Sequence, residues 1–473
     1  MQLLFKNTPS FIEVEPNRIF YNVGALIDHV VGKYVKGERG ENIMNGGLAV
    51  FTAIMGAPNT YKTKLARYMM LSAASKAAYS GILPYISTYD TEVNVDVEHC
   101  VALSQKFEPF ANLDLPSLGA WSITDKTHHL GNEWFKMLKD FLRNEKIKNK
   151  KQYLMQTPFL DRNLRPMYVI FPSFSDIDSV SEFKTADVEE IQDKSEIGDS
   201  GGNTIYMRAG LAKTRLLSEI PGLCNAASHY IIMTAHVGKE IQVGQSLATT
   251  PTKQLPHMKP GEVVKGVSPK FLYLSNLLWQ TVKVTPLNNQ NTKGPEYPKT
   301  REEVDEGSLD LNLLTVKLVR NKTGPSGYSI DLVVSQTEGV LPTLTEFHYI
   351  KENGRFGLEG NDRNYKLILY PNVNLQRTTV RSLIDSDPLL RRAIKITADL
   401  LQIKTYHKHI PLEVPDLKLL YEKLDKQYGW KTILETRDFW TFNNYEYKVP
   451  FLSTLDILEM YYDKYTPYWT KKK

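Results

Sequence analysis

Cysteine is nearly absent: Cys100 and Cys224 are the only two in 473 residues. Neither belongs to a metal-ligand spacing pattern, which excludes a disulfide scaffold and a zinc ribbon and leads us to expect a reducing compartment. No apolar run approaches the roughly 20 residues that a membrane helix needs. The opening MQLLFKNTPS turns polar too soon for the apolar stretch of a signal peptide. A cytoplasmic chain with no membrane partner is therefore expected. Repeats at a fixed period and low-complexity tracts are also lacking, so solenoids and propellers drop out. Charge of one sign is scarce as well. Lys plus Arg is 58 against 53 for Asp plus Glu, a surplus of +5 that permits polyanion binding through local patches without demanding it. What the chain does have is 42% hydrophobic and 23% charged residues, the composition of a packed globular protein. At roughly 150 residues per domain, two or three domains fit this length, as does one large α/β core with additions.

Residues 47–90 carry the clearest order. LAVFTAIMG is a compact apolar run and GAPNTYKT a turn-rich loop; KLARYMMLSAASKAAYSG has helical periodicity ending at Gly81, and ILPYISTYD is a second apolar run. Strand, loop, helix and strand in succession make a βαβ unit, which implies a parallel sheet with buried strands. Further strands are predicted at 165–174, 229–236, 276–286 and 313–321, with a long helix between the first two. Two connections, at about 175–202 and 237–269, are rich in Gly, Pro, Thr and Lys, and loops of that length are functional or disordered. Beyond residue 361 the pattern becomes helical, then rich in Tyr, Trp and Lys. The expected organisation is an N-terminal segment 1–44 suited to oligomerisation, a core 45–361 and a C-terminal helical and aromatic domain 362–473.

The loop Gly56, Ala57, Pro58, Asn59, Thr60, Tyr61, Lys62, Thr63 is where chemistry concentrates. A phosphate-binding loop needs a strand ending in a turn whose N–H groups converge, a lysine for the β and γ oxygens, a hydroxyl for Mg²⁺ and a helix N-terminus behind the anion. Gly56, Lys62 and Thr63 meet those needs, with Tyr61 standing where the common pattern has a second glycine. The next strand ends in Asp90, Thr91 and Glu92, and carboxylates at the C-terminal ends of parallel strands face the ligand crevice. Glu92 is suited to orient or deprotonate an attacking water; a solvated strand-end acid would read the same way. A second acidic strand end is needed for the metal, and the strand MYVIFPSFSDIDS places Ser173 there. Three readings stay open: Ser173 acts through water, Asp176 substitutes after a bulge, or hydrolysis is impaired.

Taken in order, these pieces resemble the RecA-type ATPases, above all the phage strand-exchange recombinases of the UvsX type. In that group an aromatic replaces the second glycine of the loop, and YDTE resembles the segment bearing the catalytic glutamate, here Glu92. Residues 195–200, SEIGDS, resemble the stretch that follows the first DNA-binding loop. Thr234, Ala235 and His236 resemble the polar strand end that senses the γ-phosphate. Arg320 and Lys322 resemble the basic pair reaching across a subunit interface to a neighbour's nucleotide. Residues 389–403 are similar to a helix beyond the core in the UvsX-type proteins. The likeness covers about residues 20–405. It implies an α/β fold, a RecA-like mostly parallel sheet flanked by helices with a smaller C-terminal domain. It also implies ATP and Mg²⁺ as cofactors and DNA-dependent ATP hydrolysis in filaments on single-stranded DNA, with single-strand-binding and mediator proteins as further partners.

The residues after His236 fit that expectation. Lys239, Lys253, Lys259, Lys265 and Lys270 lie among small, flexible residues, which suits ATP-gated contact with a DNA backbone. Arg208 and Lys213, on the preceding helix, are weaker candidates. In the aromatic tail, base stacking and a small apolar core are both open. Phe11 and Ile12 are candidates for a strand that docks on a neighbouring copy. Two alternatives remain. One is a hexameric helicase of the DnaB type, whose KQRNGPIG-like segment is similar to RNKTGPSG (320–327), although the residues before 45 leave little room for that family's N-terminal domain. The other is a regulatory subunit without hydrolysis, which Ser173 favours and Lys62, Thr63 and Glu92 oppose.

Overall fold

The computed structural model describes residues 19–186, 202–239, 253–289, 293–300, 303, 309–361 and 363–470. The predicted βαβ unit is present: β1 (Phe51–Gly56), helix α1 (Lys62–Ala78) and β2 (Tyr85–Asp90). All six residues of β1 are buried, as a strand covered on both faces must be. The sheet continues with β3 (Trp121–Asp125), β4 (Ser173–Asp178), β5 (His229–Lys239), β6 (Glu262–Val264), β7 (Leu277–Pro286), β8 (Leu311–Asn321), β9 (Ser329–Ser335) and β10 (Gly339–Val340). Their order is β10-β9-β8-β7-β1-β5-β4-β2-β3, with β6 paired to β5 outside that path. The run from β7 to β3 is parallel, and β8, β9 and β10 extend it antiparallel. Helix α2 (Gly202–Ala227) connects the parallel neighbours β4 and β5, and α1 crosses from β1 to β2, with β5 and β4 lying between those two strands. This is the expected mostly parallel sheet flanked by helices.

One predicted strand is divided. Residues 165–174 were expected to form a single core strand, but Pro166–Ile170 pairs antiparallel with Leu154–Leu160 in a separate two-stranded sheet. Pro172 has no N–H to give to a ladder, so pairing stops there and restarts in β4. β4 reads Ser-Phe-Ser-Asp-Ile-Asp, yet every residue in it is buried. Most of its polar groups find partners on other elements, while Asp176 Oδ2 is buried without one.

Beyond the sheet, helix α3 (Pro342–Glu352) packs against α4 (Pro388–Tyr406), and the C-terminal residues close over the N-terminal ones. Trp440 Nε1 donates to Phe20 O at 3.1 Å, and Asn42 donates through its backbone N–H and Nδ2 to Asp456 Oδ1 at 2.7 and 2.8 Å. The aromatic tail supplies core: Trp440, Phe442 and Phe451 are all buried. Between α3 and α4 lies a buried charge cluster in which Lys395 bonds to Asp399, with Glu346 and Asp438 each at 3.8 Å. His29 Nε2 lies 3.2 Å from Asp399 Oδ1 on its other side. Among the described residues, no helix is long and apolar enough to cross a membrane.

Candidate nucleotide-binding site

The loop leaves β1 at Gly56, where a side chain has no room: a Cβ there would sit 1.8 Å from Thr281 Oγ1 of the neighbouring β7. Thr281 and Thr60 hydroxyls are 2.6 Å apart, and Thr60 Oγ1 donates to Ala57 O at 2.7 Å, which folds the turn back on its strand. Asn59 and Tyr61 both adopt left-handed backbone, each with φ 57°. Such reversals turn successive N–H groups inward into an anion-binding concavity. A side chain in that region costs roughly 1–2 kcal/mol. Tyr61 is supported by packing against the core and by Asn312 Nδ2, which donates to its hydroxyl at 3.1 Å.

Lys62 opens α1 and is buried, with Nζ donating to Ala57 O at 2.8 Å. Burial lowers its pKa, and the carboxylates of Asp178 and Glu92 act the other way. Thr63 Oγ1 donates to Asp178 Oδ2 at 2.6 Å, and Thr234 Oγ1 donates to Asp178 Oδ1 at 2.6 Å. A hydroxyl and a carboxylate in contact at a helix N-terminus fit Mg²⁺, which is held by one or two protein oxygens plus phosphates. Among the described residues no cluster of three or more His, Cys, Asp or Glu could hold a metal.

The acid side is equally ordered. Asp90 accepts the backbone N–H groups of Glu92, Asn94 and Val95 at 2.8, 2.5 and 2.8 Å, fixing the turn after β2. Glu92 Oε1 lies 2.9 Å from His236 Nε2, each side chain being partly exposed. His236 is level with Gly56 in the β1–β5 ladder. Lys62, Thr63, Glu92 and His236, expected from the sequence, are thus brought to one edge of the sheet.

Ser173 and Asp176, the metal candidates of the sequence, are not brought beside Thr63. Ser173 begins β4, at the far edge, where it bonds Lys146 Nζ at 2.8 Å and His229 Nδ1 at 2.8 Å. Asp176 is mid-strand, 1% exposed, and accepts from Thr88 Oγ1. Burial raises its carboxyl to about 6, against the pull of Arg67. Asp178 is the carboxylate that stands beside Thr63, because β4 starts later and runs further than the apolar run suggested. Its register partner is Asp90, so aligning the two strand ends was the signal that could have found it.

Arg320 and Lys322 do not join this site. β8 runs antiparallel to β7, and Arg320 pairs with Leu278 near the start of β7. That is the edge opposite the loop, where Arg320 Nη1 donates to Leu272 O and Lys322 Nζ to Leu274 O.

Of the basic candidates, Lys239, Lys253, Lys259, Lys265 and Lys270 are all exposed, and Lys270 Nζ donates to Ser218 Oγ at 2.6 Å. The stretch after His236 is no simple loop at its base: β5 continues to Lys239 and pairs with β6 as a two-stranded arm. Lys213 is buried and faces no solvent. The side chain of Arg208, and residues Phe11, Ile12, 195–200 and 240–252, lie outside the described residues.

No known family model and no curated protein matches the sequence. Among solved structures, a RadB recombinase is similar at 12% identity, over 63% of this chain and 92% of that one, with a TM-score of 0.33. At that score the reading rests on the sheet order and the geometry of the site.

Proposed function

We propose that the chain is a DNA-dependent ATPase of the recombinase type, binding Mg·ATP at the Gly56–Thr63 loop and assembling on single-stranded DNA for homologous pairing. The observation that carries this is the convergence of Lys62, Thr63, Asp178, Glu92 and His236 on one sheet edge, with His236 leading directly into a basic arm. Lys62 and the α1 N-terminus attract the phosphates. Thr63 and Asp178 would hold Mg²⁺, which neutralises β,γ-oxygen charge. Glu92 is within reach to orient a water, and its bond to His236 would exchange for one to the γ-phosphate. The carboxylate of Asp178 stands where a hydrolysing enzyme needs one, which disfavours the regulatory subunit. In this reading residues 45–361 form the ATPase unit, and 1–44 and 362–473 are additions to it. Arg320 and Lys322 remain candidates for contact with a neighbour's nucleotide.

Negative-stain electron microscopy with single-stranded DNA and a slowly hydrolysed ATP analogue tests the proposal. Nucleotide-dependent helical filaments, lost in Lys62→Ala, are expected, together with a fall in ATP hydrolysis of at least about 100-fold in that variant. Closed hexameric rings would instead favour the helicase.

A further inference from the structure

Lys213 is an unusual lysine. It is buried on α2, and its Nζ donates to two backbone carbonyls, Ser181 O at 2.5 Å and Gly266 O at 2.7 Å. Burial lowers its pKa to about 8, with Glu182 opposing. The two carbonyls belong to segments that meet at the base of the arm. Ser181 Oγ accepts the N–H of His236 at 3.0 Å and donates to Lys265 O at 3.0 Å, while Lys265 N–H donates to His236 O at 2.8 Å. A single hydroxyl therefore spans both strands of the arm where it leaves the sheet. A Cβ on Gly266 would lie 2.9 Å from Ser181 O, so the contact is close-packed.

Ser181 also stands three residues after Asp178. Between them, Thr91 straps the segment to the turn carrying Glu92: its hydroxyl donates to Ser179 O at 2.8 Å and accepts from Ser179 N at 2.7 Å. Asp178, Glu92 and His236 on one side, and Lys265 on the other, are thus joined through one short stretch that Lys213 holds in place.

We propose that Lys213 is a positioning residue that couples occupancy of the phosphate site to the basic arm. It fixes Ser181, so that when His236 exchanges Glu92 for a phosphate, the movement reaches the Lys239 and Lys265 strands. Without the clamp, Ser181 and Gly266 can part, and the arm moves independently of the nucleotide. The inference rests on the function proposed above, and coupling is reciprocal: if nucleotide strengthens the grip on DNA, DNA strengthens nucleotide binding by the same factor.

The test measures affinity for a fluorescent, slowly hydrolysed ATP analogue with and without oligo(dT), in the wild-type chain, Lys213→Met and Lys213→Arg. Wild type is expected to bind the analogue about 5–150-fold more tightly with DNA. Lys213→Met should keep its affinity without DNA and lose the enhancement to below about 2-fold, while Lys213→Arg restores part of it. Enhancement undiminished in Lys213→Met overturns the clamp and leaves the proposed function standing. No enhancement in the wild-type chain overturns both. If Lys213→Met does not fold, Ser181→Ala keeps the lysine and its carbonyl partners and removes the hydroxyl through which the clamp reaches His236 and Lys265; loss of the enhancement there supports the coupling, and enhancement undiminished overturns it.

Discussion

Lys62 and Lys395 are both lysines set among carboxylates, and they behave in opposite ways. Lys62 sits at the sheet edge near Asp178 and Glu92; burial lowers its pKa, and its hydrogen bond goes to the carbonyl of Ala57. Lys395 lies between α3 and α4 in contact with Asp399, with Glu346 and Asp438 close by, and their charges raise its pKa well above the ordinary value against the opposing effect of burial. The first lysine has a partner that a phosphate can displace. The second has partners that cannot leave. The same residue types thus serve exchange in one place and permanence in the other, and the deciding variable is whether the lysine's hydrogen-bond partner is a neutral carbonyl or a carboxylate.

The largest effect expected from breaking this comparison is Lys395→Met. It leaves Asp399 and its neighbours buried without their cation, which costs about 3–5 kcal/mol. A denaturant titration should show that loss, whereas Lys62→Ala should unfold within about 1 kcal/mol of wild type. Equal losses in the two variants would erase the distinction.

Next in size is the pair Asp178→Asn and Asp176→Asn. Removing the carboxylate beside Thr63 should lower Mg²⁺-dependent hydrolysis by about 100-fold. The change at Asp176 should leave the rate within about 3-fold, because that carboxyl is enclosed behind Thr88. The reverse order of effects would return the metal to Asp176.

A pH series sharpens the buried side. Burial raises Glu346 from its ordinary 4.5 to about 8, against the pull of Lys395 and with Asp399, Asp438 and Asp28 adding to the rise. The folded chain keeps this proton at pH values where the unfolded chain has released it. Stability therefore falls as pH rises from about 4.5 towards 8, and Asp28, raised to about 7 by burial, adds to the fall. Glu346→Gln should flatten that slope, so that its melting temperature exceeds that of wild type by about 1–3 °C at pH 8.5. A parallel slope in the variant would place the titration elsewhere.

The smallest effect concerns Tyr61→Gly. Glycine removes the left-handed backbone cost of roughly 1 kcal/mol but adds unfolded-chain entropy and loses the Asn312 bond. Thermal melts should move by less than about 2 °C.

The same contrast explains what the sequence made legible. The βαβ unit and the phosphate loop could be read because β1 is apolar throughout and α1 follows at once with helical periodicity. Glu92 and His236 could be read because each closes an apolar run. Asp178 was missed, since β4 is polar and its partners Lys146, His229, Thr88, Thr63 and Thr234 come from other parts of the chain. Arg320 was correctly put on a strand, with Lys322 one residue past its end, but the hairpin reversal that carries them to the far edge leaves no local mark. The arm was read as a loop because Gly238 interrupts the apolar pattern just where β5 passes beyond the sheet.

The bonds from Asn42 to Asp456 join residues 414 positions apart. At about 5–20 residues per second of synthesis, Asn42 waits on the order of 20–80 s before its partner exists. During that time the N-terminal strands have no lid, and Phe20 has no tryptophan to receive. The N-terminal strands are thus made early and sealed late, and their face stays uncovered until the helix that carries Asp456 emerges.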